Sequence, residues 1–132
     1  MGFRLTVVTP DGERFSGEVD SLTVKTDEGD VEILRGHTDY FASLGTGRAR
    51  ITEGGTERLA SASGGFISVT RGEVKLVTTT FEFADEIDLD RALRAKEHAE
   101  RELAASQDAK CAALFKAKLA RALSRISVAQ SK

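Results

Sequence analysis

A carboxylate and a guanidinium lie three residues apart in the segment Ile87-Asp88-Leu89-Asp90-Arg91-Ala92. If a helix begins here, Asp88 can accept a hydrogen bond from a free backbone N–H group as the N-cap, and Arg91 follows one turn later. The segment then has two interpretations. It is either a helix cap beside surface charges or one half of a binding site for an anion.

Arg121 and Arg125 form a second charged pair, four residues apart in a segment without acidic residues, with Lys118 one turn earlier. Arginine suits phosphate because its planar guanidinium donates two parallel hydrogen bonds. If the two segments are antiparallel helices, Arg91 approaches this pair. Three like charges repel one another unless an anion or an acidic neighbour lies between them, and a polyphosphate would meet that requirement.

Common catalytic patterns are absent from the sequence. There is no glycine-rich phosphate loop, no His-Glu-x-x-His pair and no Gly-x-Ser-x-Gly elbow. We interpret His37 as a surface loop contact, His98 as part of a solvated helix face and Cys111 as a small apolar residue. One cysteine and two distant histidines do not match the spacing of a structural zinc site. We therefore expect that the protein has no active site of its own, and that it requires no metal and no cofactor.

The two charged groups must be positioned by the segment 85–132, which contains neither glycine nor proline. The pattern predicts two helices, capped by Asp88 and Asp108, with a corner at 106–108. Residues 85–108 carry four bases against eight acids, whereas residues 109–132 carry six bases and no acid. The predicted apolar stripes are Leu89, Ala92, Leu93, Ala99 and Leu103 in the first helix and Ala112, Phe115, Leu119, Ala122 and Ile126 in the second.

Residues 1–84 contain all 12 glycines and the only proline. Short runs alternate apolar and polar side chains, as Phe3, Leu5 and Val7 do, and the glycine pairs between later runs favour tight hairpin turns. About nine strands are predicted from this spacing. They cover residues 3–9, 15–19, 22–26, 31–34, 41–44, 47–52, 57–63, 66–70 and 74–79.

The fold class predicted is therefore α+β, with an antiparallel β-sandwich over 1–84 and a two-helix antiparallel hairpin over 85–132. Such a short, alanine-rich hairpin depends on tertiary packing, so it must dock on the sandwich, on a partner, or on each in turn. No stretch is apolar enough to span a membrane and no secretory signal is readable, so we expect a soluble, cytosolic protein.

With these elements in place, the chain resembles the epsilon subunits of rotary F-type ATP synthases over essentially its whole length. The resemblance rests on the order and spacing of several short motifs rather than on any single one. These are Phe15-Ser16-Gly17 with Val19; Glu28-Gly29 with Ile33-Leu34 and Gly36-His37; Ser63-Gly64-Gly65-Phe66 with Val69, Gly72 and Val74; and Ser127-Val128-Ala129.

The resemblance implies a non-catalytic rotor subunit that helps couple ion flow to ATP synthesis and is peripheral at the cytoplasmic face of the plasma membrane. The sandwich would bind the gamma subunit and lie over the c-ring. The hairpin would alternate between a compact form on the sandwich and an extended form that enters the alpha/beta catalytic ring and restrains ATP hydrolysis.

Some bacterial members of this family bind ATP as a regulatory ligand, through an Ile/Leu-Asp-x-x-Arg-Ala motif and arginines of the last helix. By this resemblance the carboxylate of the motif accepts from the adenine amino group or the ribose, and the arginines bind the phosphates. The matching positions are Glu82, Ile87, Asp88, Arg91, Ala92, Arg121 and Arg125.

One loop departs from the family pattern Gly-Ile-Leu-Pro-Gly-His-x-Pro. Glu32 stands at the first glycine, Arg35 at the first proline and Asp39 at the second, while Gly36 and His37 are retained. The resemblance implies that this loop contacts the rotor ring or the gamma subunit.

A nucleic-acid-binding module is the alternative from another class, because the last helix is basic. The rest of the composition opposes it. Residues 1–84 carry nine bases against thirteen acids, the pI is about 5.7, and the chain has one tyrosine and no tryptophan for base stacking. We therefore expect protein partners and no nucleic acid.

Overall fold

A computed structural model describes residues 2–131. In this part of the chain, ten strands are followed by a 3-10 turn, Ala84–Glu86, and two helices. The strands are β1 Phe3–Thr9, β2 Gly12–Val19, β3 Ser21–Thr26, β4 Gly29–Leu34, β5 Tyr40–Ser43, β6 Gly47–Glu53, β7 Thr56–Ser63, β8 Phe66–Thr70, β9 Glu73–Val77 and β10 Thr80–Phe83. The helices are α1 Leu89–Ala105 and α2 Ala109–Gln130.

The strands form two five-stranded sheets that share one core. The strand orders are β2-β1-β9-β8-β5 and β10-β7-β6-β3-β4. Adjacent strands are antiparallel except for β1 and β9, which run parallel. The predicted sandwich followed by a helical hairpin is thereby confirmed, with one parallel strand pair that the sequence pattern did not indicate.

The core lies between the sheets because successive side chains of a strand point to opposite faces. In β1, Phe3, Leu5 and Val7 are buried and Arg4 is exposed. Both sheets contribute large aliphatic side chains, and the fully buried ones include Leu5, Val7, Leu22, Ile33, Ile51, Ile67 and Leu76. The alternation seen in the sequence therefore identifies the inward face correctly.

The sandwich has one strand more than the sequence predicts, because the predicted run 74–79 ends early. β9 stops at Val77, and β10 begins at Thr80 on the other sheet. Thr78 lies at this crossing, where it is 2% exposed and its hydroxyl lies 2.9 Å from the carbonyls of both Ser63 and Thr80. In the sequence, the threonine-rich run resembles one continuous strand. In the structure, the buried hydroxyl of Thr78 stabilises the point at which the chain changes from one sheet to the other.

Both helices begin where the sequence predicts. The Asp88 carboxylate accepts from the backbone N–H of Arg91 at 3.1 Å, and the Asp108 carboxylate accepts from that of Cys111 at 2.7 Å. The residues 106–108 form the corner between the helices. Local capping chemistry is sufficient to define these ends, because each cap satisfies a backbone donor that the first helical turn leaves free.

The contact between the helices differs in one position from the predicted stripes. All five seam residues of α2 are buried or partly buried. In α1, Ala92 and Ala99 are buried, but Leu93 is 37% exposed, so its assignment to the stripe was wrong. Ala92 and Ala99 are seven residues apart and lie on one line along the helix, and Leu93 is turned away from that line.

The hairpin docks on the sheet that contains β6 and β7. α2 packs directly on these strands, and α1 packs on α2. The buried residues of α2 are Ala122, Ser124 and Val128, and the hydroxyl of Ser124 forms a buried hydrogen bond of 2.8 Å with that of Ser61 on β7. Within residues 2–131, no helix is both long enough and apolar enough to cross a membrane.

Candidate functional site

A cleft of about 490 Å³ lies between the sandwich and the hairpin. Its walls come from the β1–β2 turn, the β9–β10 crossing, the 3-10 turn, the start of α1 and the end of α2. The volume is in the range of small-molecule sites. The lining residues are Thr9, Asp11, Arg14, Thr79, Thr80, Phe81, Glu82, Glu86, Ile87, Asp88, Arg91, Ala92, Ala95 and Arg125.

Six of the seven residues singled out by the family motif line this one cleft. They are Glu82, Ile87, Asp88, Arg91, Ala92 and Arg125. Arg121, the seventh, is half-buried on α2 and does not line the cleft, although it precedes Arg125 by about one helical turn. The fold therefore brings together residues that the sequence separates by more than thirty positions.

The contact between Arg125 and Glu82 joins α2 to the sandwich. The Nε atom of Arg125 donates to Glu82 Oε1 at 2.7 Å, and both side chains are partly exposed. Strand register explains the meeting: Glu82 lies opposite Ser61 in the β10–β7 pair, and Ser61 bonds Ser124, the residue next to Arg125. This carboxylate is the acidic neighbour that the clustered arginines require.

The start of α1 supplies the motif residues. Asp88 is an exposed N-cap and Ile87 before it is partly buried, while Ala92 is 3% exposed against the rest of the fold. Arg91 is exposed, and it forms none of the ion pairs found within residues 2–131. Its guanidinium is the cleft cation without a carboxylate partner.

Arg14 and Glu86 are cleft residues that the sequence reasoning missed. Arg14 Nη2 donates to Glu86 Oε2 at 3.1 Å, across 72 sequence positions. The second oxygen of Glu86, Oε1, accepts from the backbone N–H of Phe83 at 2.9 Å and so holds the 3-10 turn. No spacing rule links residues this distant, so the sequence carried no signal for the pair.

The electrostatic character of the cleft is mixed. Three arginines face four carboxylates, those of Asp11, Glu82, Glu86 and Asp88. Two of the arginines are already bound to carboxylates, so an anionic ligand must displace these carboxylates before it binds the two arginines. In the described part of the chain, no cluster of His, Cys, Asp or Glu suits a metal ion.

The loop with Gly36 and His37 lies at the other end of the sandwich. Strand β9 runs from Glu73, which pairs with Arg4 of β1, to Val77, which pairs with Val8 next to the cleft. The start of β9 therefore lies at the end of the sandwich away from the cleft. Asp39 accepts from the backbone N–H of Arg71 at 3.0 Å and so ties the loop to the turn before β9.

The loop itself is held by local contacts. Gly36 has φ +83°, a conformation that glycine adopts without strain. The Nδ1 atom of His37 lies 2.7 Å from the carbonyl of Thr38, and its ring packs edge-on to Tyr40. Leu34 and Phe41, which flank the loop, are 51% and 67% exposed. The loop is thus structured, and the two exposed apolar side chains belong to the strands on either side of it.

These observations define a class of protein in which a well-packed sheet sandwich carries a docked helical hairpin and a ligand-sized cleft marks their junction. Residues 2–84 match the family model for the ATP synthase delta/epsilon chain beta-sandwich domain, and residues 85–130 match that for its long alpha-helix domain. The chain belongs to the ATP synthase delta/epsilon chain family. The resemblance inferred from the motifs is confirmed.

Individual relatives agree over most or nearly all of the chain. The ATP synthase epsilon chain of Ruminococcus albus is 39% identical over 131 residues, which cover 98% of each chain. That of Halalkalibacterium halodurans is 41% identical over 99 residues, covering 75% of this chain and 74% of the relative.

Solved structures share the architecture. A chain of the Euglena gracilis mitochondrial ATP synthase, solved as OSCP, F1 and c-ring, is 25% identical with a TM-score of 0.83, covering 98% of this chain and 81% of that one. A chain of the Tetrahymena thermophila mitochondrial ATP synthase central stalk and c-ring has a TM-score of 0.66 at 15% identity, covering 99% and 96%, and shows the shared fold.

Proposed function

We propose that the protein is a non-catalytic central-stalk subunit of an ATP synthase, which binds the gamma subunit, the c-ring and the alpha/beta catalytic ring. The full-length match to epsilon chains carries this proposal. The Euglena relative belongs to a structure that contains F1 and a c-ring. The protein would be held peripherally at the cytoplasmic face of the membrane by its complex, and would help couple ion flow to ATP synthesis.

The end of the sandwich with Gly36 and His37 is the proposed contact with the c-ring or gamma. The family positions Gly36 and His37 are retained in this loop, and the contacts of His37 and Asp39 hold it in an ordered conformation. Pull-down of the full chain with gamma from the same cell tests the assignment. A folded chain that never associates with gamma would contradict it.

The hairpin is the proposed regulatory element. Its docking surface is small, since Ala122, Ser124 and Val128 are the buried residues of α2. The ion pair between Arg125 and Glu82 is partly exposed and can be replaced by other acidic groups. Residues 109–132 carry six bases and no acid, so an extended hairpin would pair with acidic groups of the catalytic ring and restrain ATP hydrolysis.

ATP is the proposed regulatory ligand of the cleft. The convergence of Asp88, Arg91 and Arg125 on a cleft of about 490 Å³ supports this proposal. Asp88 would accept from the adenine amino group or the ribose, and the arginines would bind the phosphates. Arg121, about one turn before Arg125, would join them through a change of its side-chain conformation. A ligand that contacts α1 and α2 together favours the compact hairpin, because it binds that state alone.

Calorimetric titration of the full chain with ATP tests this site. We expect Arg91→Ala and Arg125→Ala each to weaken binding about tenfold, the usual effect of losing one charged hydrogen bond. Arg101→Ala is the matched control, because Arg101 is an exposed α1 residue outside the cleft. The absence of heat and of a thermal shift at millimolar ATP would reject the ligand assignment without affecting the subunit assignment.

A label pair reports on the switch. Cys111, which is exposed, is first replaced by serine, and cysteines are introduced at the exposed Glu57 of β7 and Lys116 of α2. We expect ATP to increase the fraction of molecules with a short distance between the labels. An unchanged distance distribution in the presence of bound ATP would contradict the regulatory role.

A further inference from the structure

Two ion pairs lie on the walls of the cleft, and each consists of one arginine and one glutamate. In each, an arginine that lines the cleft is held by a glutamate that also lines it: Arg125 by Glu82 and Arg14 by Glu86. The pairs come from different elements, since Arg125 lies on α2 and Arg14 on β2. Neither residue of the second pair is among the positions that the family resemblance linked to ATP binding.

Arg14 has a distinctive position among the residues that line the cleft. Among them it is the cation that the sandwich contributes, because Arg91 lies on α1 and Arg125 on α2. Glu82, the motif residue of the sandwich, is a carboxylate and repels a phosphate group. A ligand that touches only the motif residues would therefore have its cationic contacts on the hairpin alone.

Glu86 is suited to hold Arg14 in the absence of ligand. Its Oε1 atom accepts from Phe83 N, which fixes the carboxylate, and its Oε2 atom faces Arg14 at 3.1 Å. The pair is accessible to a ligand, since the side chains of Arg14 and Glu86 are 33% and 44% exposed. Exchange of one oxyanion for another at such a guanidinium requires little rearrangement of the backbone.

We propose that Arg14 is a further phosphate-binding residue of the cleft, beside Arg91 and Arg125, and that Glu86 is the internal carboxylate that it leaves when a polyphosphate ligand binds. This inference rests on the ATP site proposed above. Three guanidinium groups on three different elements, each able to donate two parallel bonds, are satisfied more fully by several linked phosphate groups than by one. The arrangement therefore selects a ligand with a chain of phosphates over a monophosphate.

The proposal explains how the ligand would hold the hairpin on the sandwich. Bound phosphates would connect β2 through Arg14, α1 through Arg91 and α2 through Arg125. A ligand that bridges three elements stabilises their docked arrangement, because the undocked state lacks the site, and the stabilisation grows with the ratio of free ligand to Kd.

Two charge-removing variants give opposite predictions. Arg14→Gln removes the phosphate contact, and we expect it to weaken ATP binding about tenfold. Glu86→Gln frees Arg14 and removes one negative charge, while its amide oxygen still accepts from Phe83 N, so we expect ATP to bind about two- to fivefold more tightly. Arg4→Gln is the matched control, since Arg4 is an exposed arginine of β1 that bonds Ser16 and does not line the cleft.

A purely structural role for Arg14 gives a different result. Both variants break the same ion pair, so they would then change ATP affinity in the same direction and by a similar factor. That outcome would overturn the inference and leave the ATP site standing. A wild-type chain that binds no ATP would overturn the ATP site and this inference together.

Hydrogen exchange of the α2 amides provides a second readout. In wild type we expect ATP to increase their protection, and in Arg14→Gln we expect about tenfold more ATP to be needed for the same increase. Unchanged exchange of the β6 and β7 core amides would show that the variant is folded. Protection of α2 that develops at the same ATP concentration in wild type and in a folded Arg14→Gln would overturn the bridging role.

Discussion

The interior of the sandwich and the interface beneath the hairpin are packed in different ways. Between the sheets, large side chains such as Leu22, Ile51 and Ile67 are completely buried. Beneath α2, the buried residues are Ala122, Ser124 and Val128, and the contact includes the Ser61–Ser124 hydrogen bond. Burying a large aliphatic side chain contributes about 1.5–3 kcal/mol, whereas a hydrogen bond contributes about 1 kcal/mol net.

The two regions differ in how readily their side chains change contact partners. Apolar groups of the core have no alternative partner of equal quality in water. The hydroxyls and charges beneath α2 can exchange their partners for water, a ligand or another subunit at small cost. One short chain can therefore combine a stable docking body with an element that moves.

Ile51→Ala tests the core side of the comparison and has the largest expected effect. The side chain is 0% exposed, so the substitution removes buried methyl groups and leaves a cavity. We expect the free energy of unfolding of the sandwich to fall by about 2–5 kcal/mol in urea titration. Leu123→Ala is the control, since Leu123 is 45% exposed and its loss should cost less than about 0.5 kcal/mol.

Ser61→Ala tests the polar interface and ranks second. It leaves the Ser124 hydroxyl, in a residue 9% exposed, without its partner, and we expect the hairpin to open more easily by about 2 kcal/mol. The double variant Ser61→Ala/Ser124→Ala should recover most of this loss. Hydrogen exchange of α2 measures it, and a double variant as open as the single one would contradict the explanation.

Asp108→Ala tests local control of the hairpin. The carboxylate caps α2 through Cys111 N at 2.7 Å, and its loss should destabilise the first turn of α2 by about 1 kcal/mol. The expected result is faster amide exchange near the corner with an unchanged sandwich. Asp108→Asn should retain most of the cap, and equal effects of the two variants would argue against capping.

Glu82→Gln has the smallest expected effect. The pair with Arg125 is partly exposed, so its loss should weaken hairpin docking by only about 0.5 kcal/mol, and added salt should shrink the difference from wild type. The label-pair distance distribution measures the change. A salt-independent effect would contradict an electrostatic origin.

Local patterns in the sequence predicted most of the elements but not all of their partners. Alternation identified the β1 core face and the capping residues Asp88 and Asp108 identified both helix starts. The change of sheet at Thr78 was missed because its cause is a hydrogen bond to Ser63, which is distant in sequence. Leu93 was misplaced because a stripe of apolar residues does not specify which of them faces the second helix.

The candidate site shows the same division. The motif identified Asp88, Arg91 and Arg125, and the fold places all three on one cleft. Whether they bind ATP stays a prediction. Arg14 could not be found from spacing, because its contact with Glu86 depends on where the β1–β2 hairpin lies relative to the 3-10 turn.

The sequence by itself determined the order of the elements, the helix caps, the charge separation between the helices and the family, because all of these depend on near neighbours and composition. Only the tertiary structure decided that α2 rather than α1 lies on the sheet, that Glu82 meets Arg125, and that Arg14 enters the cleft. These contacts follow from strand register and docking geometry, which link residues far apart in the chain.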